Sequence, residues 1–254
     1  HSDMVLRDDD IVVKRINWKD KATNLKEIAR ELNIGLDSIV FIDDSDFEIN
    51  LINDKIPEIY TIRVPSNLLQ YQKIVLENIY KLFNLSVSSE DMLKTKMYKQ
   101  QAKRIQSKSN AESIDDYLKS LNISIKVFEN DESLVPRISQ MTQKTNQFNL
   151  TTQRYTENRI SKFMNSKDSS IYAISVSDKF GDSGITGLLI CNYDIPSSSV
   201  IVDTFLMSCR IIGRNIEFAF FDYFIEKIAA MEYSIIKASY IPTKKNVQVK
   251  ELYE

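Results

Sequence analysis

Short apolar runs alternate with amphipathic helical segments over the first third of the chain. Residues 22–33 carry apolar side chains at helical spacing, and Gly35 is the expected stop of that helix. Residues 38–42 form an apolar, β-branched run of the kind found in parallel strands buried on both faces. A second such run lies at 59–65, and residues 66–83 return to helical spacing. This alternation predicts part of a doubly wound α/β domain.

A polar segment separates this region from a second one. Residues 86–112 are basic in their middle and contain no strand pattern, which predicts a helical connector with a solvated or partner-binding basic face. We therefore divide the chain into a first domain over 1–85, the connector over 86–112 and a second domain over 113–254.

The second domain has the order of an α+β fold. A half-buried strand at 123–128 precedes two helical stretches. The remaining predicted elements are three strand-like runs with a hairpin turn at 179–184, a helix from about Arg214 to Met231, a strand at 234–240 and a last helix from about Lys244. The whole chain is thus expected to be α/β, a partial parallel-sheet unit followed by an α+β domain.

Composition excludes several classes of function. The formal charge of −2 gives no field that would recruit nucleic acid, and no apolar run approaches the length of a membrane span. One histidine and five glycines leave no histidine-based triad, Walker loop or GxGxxG motif. Two cysteines, Cys191 and Cys209, suggest a reduced compartment, and we expect a cytoplasmic protein that binds neither nucleic acid nor membrane.

The run VFIDDSDFE (40–48) brings acidic residues to the end of a predicted strand. Ligands of open α/β sheets gather at such ends, and side chains alternate along a strand, so Asp43 and Asp44 should point different ways. Carboxylates of this kind suit Mg²⁺, with Glu48 completing an outer shell. Capping of the following helix explains the same acids equally well. Lys21, upstream, favours the metal site because a lysine there neutralises phosphate charge.

The segment INWKDKATNLKEIARELNIGLDSIVFIDDSDFE (16–48) resembles the FkbH-like branch of the haloacid-dehalogenase-like (HAD) superfamily. The resemblance extends over residues 1–50. It implies that Lys21 is the catalytic lysine of the family and Asp43 its magnesium-binding aspartate, with Asp44 beside it.

The aspartate nucleophile of HAD enzymes stands in a DxDx(T/V) motif at the end of an earlier strand. Residues 8–12, DDDIV, match this motif formally, but they follow Arg7 rather than an apolar strand and lie only 33 residues before Asp43. The resemblance therefore places the nucleophile and the Ser/Thr motif outside this chain, whose two ends read as cut from a longer protein. Alone, the chain is expected to be inactive in phosphoryl chemistry.

Three later segments, 142–156, 178–187 and 205–215, resemble the C-terminal part of FkbH-like proteins, which is similar to the GNAT acetyltransferase fold. GNAT proteins hold the pyrophosphate of coenzyme A on the backbone amides of an R/QxxGxG/A loop at a helix N-terminus. Arg210, Gly213 and Asn215 occupy this pattern, with Arg214 between them. Asn215 replaces a small residue and would crowd a pyrophosphate, and Arg210 as a structural salt-bridge partner is the alternative.

Asn246, Val249 and Tyr253 follow the spacing of the final GNAT helix. The resemblance implies that Tyr253 protonates a leaving thiolate and that Asn246 lies at the coenzyme site. The alternative is a tyrosine packed in the core with its hydroxyl hydrogen-bonded. The fold is also expected to lack its closing strand.

NQFNLTT (146–152) marks the family without revealing a task. It either lines a groove for an acyl or pantetheine arm or fixes a loop to the sheet. Cys191 and Cys209 are expected to be buried apolar fillers rather than reactive thiols.

The resemblance implies an enzyme that removes phosphate from a small phosphorylated three-carbon acyl donor and transfers the glyceryl group to an acyl carrier protein. Mg²⁺ would serve the HAD part, and acyl-coenzyme A or phosphopantetheine the GNAT-like part. One alternative is a non-catalytic GNAT-like module that docks the acidic carrier on the basic connector, and another is a coenzyme A-dependent acetyltransferase. The basic residues of that connector are Lys94, Lys96, Lys99, Lys103 and Arg104.

Overall fold

The structure, a computed structural model, describes residues 5–82 and 89–253. The chain forms two compact units, His1–Asn110 and Ala111–Glu254, and each is taken by itself below. Residues 83–88, which span the expected boundary between first domain and connector, lie outside the described residues. No helix in the described part of the chain is long and apolar enough to cross a membrane.

Helices and two parallel strands make up the first unit. Helix α1 begins after Asp20, whose carboxylate accepts a hydrogen bond from the backbone N–H of Thr23, and it ends at Asn33. Asn33 has a φ of 51°, so this residue and not Gly35 ends the helix. Asparagine tolerates the left-handed conformation that closes a helix, which explains the difference. The elements are α1 (Lys21–Leu32), β1 (Val40–Asp43), α2 (Asp46–Lys55), β2 (Tyr60–Arg63), α3 (Tyr71–Glu77), α4 (Ile79–Leu82) and α5 (Ser89–Ser109).

Strands β1 and β2 pair in parallel, with Asp43 opposite Arg63 at their carboxyl ends. A small apolar core formed by Ala22, Ile52, Ile56 and Ile59 packs α1 and α2 against them. Ile42 on β1 is exposed, so this strand is not buried on both faces as its composition predicted. The reason is that, among the described residues, this core lies on the face of β1 that carries Phe41, and the side chain of Ile42 points to the opposite face.

The DDDIV segment does not follow a strand. Asp8–Asp10 forms an exposed 3₁₀ turn, and the described residues before it, from Val5, are irregular. Its rejection as a nucleophile motif therefore agrees with the local structure.

A mixed six-stranded sheet with helices on both faces forms the second unit. Strands β3, β5, β6 and β7 are antiparallel neighbours, and β8 pairs with β7 in parallel. The order along the chain is α6 (Ile114–Ser120), β3 (Ser124–Glu129), α7 (Val135–Lys144), β4 (Phe148–Asn149), α8 (Glu157–Met164), β5 (Ser169–Asp178), β6 (Gly181–Asp194), β7 (Ser199–Met207), α9 (Ile216–Ala230) and β8 (Ile235–Ala238).

Alternating side chains of β7 divide the core in two. Phe205 faces α9 and joins a cluster with Phe220 and Phe224, whereas Leu206 faces the other side and packs with Ile138 and Ile160 of α7 and α8. Apolar residues on both sides of the same strand explain why 200–202 and 205–207 are unbroken apolar runs rather than alternating ones.

The last predicted helix is not formed. Val247–Val249 is a single 3₁₀ turn and the residues after it are turns. The side chain of Asn246 accepts hydrogen bonds from the backbone N–H and the hydroxyl of Thr243, at 2.7 and 2.9 Å. This tight turn takes up the residues that would start a helix, and short helices are not stable alone.

Candidate functional site

Lys21 and Asp43 meet at the carboxyl end of β1. The Lys21 Nζ lies 2.6 Å from Asp43 Oδ2, and the backbone N–H of Ser45 donates to Asp43 Oδ1 at 2.9 Å. The Asp43 side chain is only 11% exposed, whereas that of Lys21 is 43% exposed. A nearly buried acid therefore holds a cation whose other N–H groups remain accessible.

Glu48 and Asp44 occupy different surroundings. Glu48 Oε1 lies 3.8 Å from Lys21 Nζ, and Glu48 Oε2 is buried without a hydrogen-bond partner. Asp44 is exposed. The cap of α2 is Ser45, whose hydroxyl accepts from the N–H of Glu48 at 3.4 Å, so neither Asp43 nor Asp44 caps that helix.

Hydrogen bonding sets the protonation of this pair. Burial alone would raise the pKa of Asp43, but the hydrogen bonds from Lys21 and from the Ser45 backbone outweigh it and lower that pKa below its usual value. The hydrogen bond to Asp43 in turn raises the pKa of Lys21. The carboxylate and the ammonium group therefore both stay charged around neutral pH.

The described residues give no support to the predicted magnesium site. In the described part of the chain, no three His, Cys, Asp or Glu side chains are grouped so that they would hold a metal ion. Both oxygens of Asp43 already accept hydrogen bonds, Lys21 neutralises its charge, and Asp44 is exposed. Asp43, Asp44 and Glu48 alone thus do not fit Mg²⁺.

A second candidate place is the loop between β7 and α9. Cys209–Ile211 forms a 3₁₀ turn, and Gly213 has a φ of 77°. A Cβ at Gly213 would meet open space, but its backbone conformation favours glycine. Asn215 is also left-handed, with a φ of 57°, and its side chain does not cap α9. The loop thus exposes backbone at the start of a helix.

The side chain of Arg214 points away from the exposed backbone of this loop. Its Nη1 lies 2.8 Å from Asp178 Oδ2, and the two side chains are 4% and 0% exposed. Arg214 Nη2 also donates to the backbone carbonyl of Arg210. The guanidinium of Arg214 consequently ties the loop to the end of β5. Arg210 itself is half-buried.

Glu217 is an acidic residue in the first turn of α9. Its Oε2 is buried without a hydrogen-bond partner, and burial raises the pKa of its carboxyl group. An acid in the first helical turn interacts with the positive end of the helix dipole. The N-terminus of α9, where an anion would bind, therefore already holds a carboxyl group of the chain itself. The sequence pattern did not single out Glu217.

Asn246 and Tyr253 both point inward. The amide nitrogen of Asn246 donates to the carbonyls of Asn149 and Ile241, at 2.8 and 3.0 Å, and the residue is fully buried. The Tyr253 ring packs against Phe221 at 5.6 Å, and its hydroxyl is buried without a hydrogen-bond partner. Burial raises the pKa of Tyr253, so its hydroxyl stays protonated.

The role of the 146–152 segment is visible in the sheet. Phe148 and Asn149 pair with Met207 and Leu206 as strand β4, and the N–H of Leu150 donates to the Phe205 carbonyl at 3.1 Å. Of the two alternatives, the segment thus fixes a loop to the sheet. The apolar alternation of Phe148 and Leu150 around Asn149 was the signal that would have predicted a strand.

The cysteines are placed as fillers. Cys191 is buried, and burial raises its pKa to about 11. Burial also raises the pKa of Cys209, although the positive charge of Arg210 lowers it in part. Neither thiol is activated as a nucleophile.

Comparison with known proteins gives structural similarity only. No protein-family model matches the chain, and no curated protein matches it. A ribosomal-protein-alanine N-acetyltransferase from Brucella melitensis biovar Abortus 2308 is similar at 14% identity and a TM-score of 0.40, over 52% of this chain and 88% of that one.

Two further matches have the same character. The ribosomal-protein-S18-alanine N-acetyltransferase from Escherichia coli matches at 8% identity and a TM-score of 0.38, over 51% of this chain and 74% of that one. A GNAT family acetyltransferase from Staphylococcus aureus matches at 13% identity and a TM-score of 0.35, over 49% and 95%. These similar structures are acetyltransferases and cover about half of this chain, but all three TM-scores lie below 0.5, so no function follows from them.

Proposed function

We propose that this chain takes part in moving an acyl group from a phosphorylated donor to a carrier protein, as its resemblance to FkbH-like proteins implies. The first unit would be the phosphate-handling, HAD-like part. The observation that carries this proposal is the oriented cation at the carboxyl end of β1, Lys21 held at 2.6 Å by the nearly buried Asp43.

The geometry of this pair suits an electrostatic role. A lysine ammonium group has three N–H donors, and Asp43 takes one of them. Because the Lys21 side chain is 43% exposed, its remaining donors can reach a phosphate oxygen arriving from solvent. Positioned cations that meet developing or existing phosphate charge are the usual means by which proteins bind phosphoryl groups.

Glu48 would then gain a hydrogen bond when the phosphorylated ligand binds. Its Oε2 is buried without a hydrogen-bond partner among the described residues, and its Oε1 lies 3.8 Å from Lys21 Nζ. A hydroxyl or water carried in with the ligand would supply the hydrogen bond that this oxygen lacks. The proposed role of Lys21, Asp43 and Glu48 is therefore to bind and orient the phosphorylated donor, and the covalent step is not assigned to any of them.

The test is binding of 3-phosphoglycerate to the full chain, followed by calorimetry and by amide chemical shifts of residues 40–48. We expect Lys21→Met to weaken binding by about tenfold or more, the size of one charge-assisted hydrogen bond. Lys19→Met is the matched control, because Lys19 is exposed and pairs with Glu27 at 2.8 Å. Equal affinities of wild type and Lys21→Met would refute the proposed role.

The acyl carrier protein remains the proposed partner, with α5 as its docking surface. Lys96 and Lys103 are exposed and lie seven residues apart, on one face of this helix. Lys99, between them, contacts Asp9 at 3.2 Å. The sequence predicted that Arg104 is part of this surface. Arg104 is only 2% exposed, so it lies in the interior and does not belong to the surface.

A second candidate function, a coenzyme A-dependent acetyltransferase, has less support. Its predicted ligands Arg214 and Asn246 make internal hydrogen bonds, and Glu217 lies in the first turn of α9. These residues do not fit a coenzyme A diphosphate at the loop. We therefore propose that the second unit, GNAT-like by its sequence resemblance, serves as a binding module.

A further inference from the structure

One edge of β7 has two different partners along its length. Strand β8 pairs in parallel with Ser199–Val202 and then ends. Further along the same strand, Phe148 and Asn149 pair with Met207 and Leu206 in the opposite direction. Because β6 occupies the other edge of β7, β8 and β4 share this one. The parallel neighbour β8 thus ends halfway along β7, and the short strand β4 occupies an opening farther along the same edge.

Such an opening is a natural binding place for an extended ligand. A strand edge without a neighbour presents backbone N–H and carbonyl groups, and an extended chain with amide groups pairs with them. Pantetheine carries two amide groups, and β7 leads directly into the loop 209–215 at the start of α9. A thioester arm anchored near that loop would find its nearest backbone partners on this edge of β7.

The chain's own residues already make these hydrogen bonds. The N–H of Leu150 donates to the Phe205 carbonyl at 3.1 Å, which continues the pairing begun by β4. On its far side the segment is fastened as well, since the Ile241 N–H donates to the Leu150 carbonyl at 2.7 Å. Asn246 donates to the Asn149 carbonyl at 2.8 Å. Both edges of the inserted piece are therefore paired.

Apolar burial and local turns hold the insert further. Phe148 is nearly buried and its ring meets that of Phe205 edge-on at 5.6 Å, while Leu150 is fully buried. The Asn149 side chain accepts from the N–H of Thr152 at 2.9 Å and donates to the Thr145 carbonyl at 3.2 Å. Removing the insert would expose two apolar side chains and break several backbone hydrogen bonds at once.

We propose that residues 148–150 form a built-in strand that occupies the place of an extended thioester arm and closes this edge of β7 to coenzyme A and to carrier-bound pantetheine. The second unit then does not admit the arm into its sheet. This inference does not depend on phosphate binding by Lys21.

The experiment uses the full chain, with backbone amide signals assigned and hydrogen exchange followed residue by residue. Without ligand, we expect the amides of Leu150 and Ile241 to exchange as slowly as those of central-strand residues such as Leu189. Exchange at the rate of an exposed loop would overturn the proposal, because the edge would then be open.

The same sample is then titrated with acetyl-coenzyme A and, separately, with S-acetylpantetheine, which lacks the diphosphate. We expect no saturable change at residues 205–207 or at Leu150 with either compound. Saturable shifts there, or faster exchange at Leu150 on binding, would show that the arm displaces the strand and would refute the closure. A failure of 3-phosphoglycerate binding is read separately, at residues 40–48 of the other unit.

Discussion

Arg214→Met is expected to destabilise the second unit strongly. Arg214 and Asp178 form an ion pair at 2.8 Å with side chains that are 4% and 0% exposed. The other oxygen of Asp178 accepts from the backbone N–H of Phe180 at 2.9 Å, so one carboxylate joins the turn between β5 and β6 to the loop before α9. Removal of the arginine leaves this carboxylate buried without its counter-charge.

The magnitude follows from the burial of both partners. Breaking a buried ion pair by removing one partner typically costs about 3–5 kcal/mol, because the remaining charge is uncompensated. Domains have unfolding free energies of roughly 5–15 kcal/mol, so a large fraction of the stability would be lost. Asp178→Asn with Arg214→Met should recover part of this loss, since the double variant buries no charge.

Urea unfolding of the four proteins in this cycle, followed by circular dichroism, measures the coupling between the two residues. A coupling energy above about 1 kcal/mol is expected for groups in direct contact. Arg159→Met is the control for loss of an arginine at an exposed position on α8; its guanidinium lies over the Phe163 ring at 4.5 Å, so this variant should cost no more than about 1 kcal/mol. If Arg214→Met costs less than about 1 kcal/mol, in the range of a surface pair, then Arg214 is not the structural tie inferred here.

Three further predictions concern the other candidate residues. Tyr253→Phe removes a buried hydroxyl that has no hydrogen-bond partner, so urea unfolding should show unchanged stability or a gain of up to about 1 kcal/mol; a clear loss would reveal a missed partner. Because the folded-state pKa of Asp43 lies below its ordinary value of 3.8, the stability contributed by its pairing with Lys21 is present above that pH and is lost as the pH falls below it. Asp43→Asn should therefore flatten the acid side of the stability profile, and an unaltered profile would contradict the assignment. Lys96→Glu with Lys103→Glu should weaken calorimetric binding of an acidic carrier protein at low salt and have little effect at high salt, whereas equal affinities at low salt would exclude α5 as the docking surface.

Most of the elements were predictable because their periodicity is strong. Helix α9, which contains Phe220, and strand β6, which contains Leu189, follow directly from apolar spacing. The failures were of two kinds. Gly35 was predicted to stop α1 by residue type, whereas Asn33 adopts the left-handed conformation first. The last helix was predicted from spacing that a side-chain turn at Asn246 overrides.

The site was predictable only in part, because sequence spacing identifies neighbours along the chain and not the direction of a side chain. The approach of Lys21 to Asp43 was expected from a lysine before the helix that leads into an acidic strand end, and the two groups do meet. The predicted metal site has no support in the structure, because Lys21 already neutralises Asp43 and because Asp44 is exposed. Arg214 matched the coenzyme A-binding loop of GNAT proteins in sequence. In the structure its side chain instead pairs with the buried Asp178, which is 36 residues earlier in the chain.

A comparison of two of the acid–cation pairs in the described residues, Lys21–Asp43 and Arg214–Asp178, explains why phosphate binding is proposed for the first unit. In both pairs the acid is buried or nearly so, and in both the distance is short, 2.6 Å for Lys21–Asp43 and 2.8 Å for Arg214–Asp178. They differ in the cation, since Lys21 keeps much of its side chain in solvent whereas Arg214 is enclosed. A cation must reach its ligand to bind it, and a buried cation with its donors directed inward stabilises the fold instead. Exposure of the cation, which no sequence motif records, therefore distinguishes the pair proposed to bind phosphate from the structural pair.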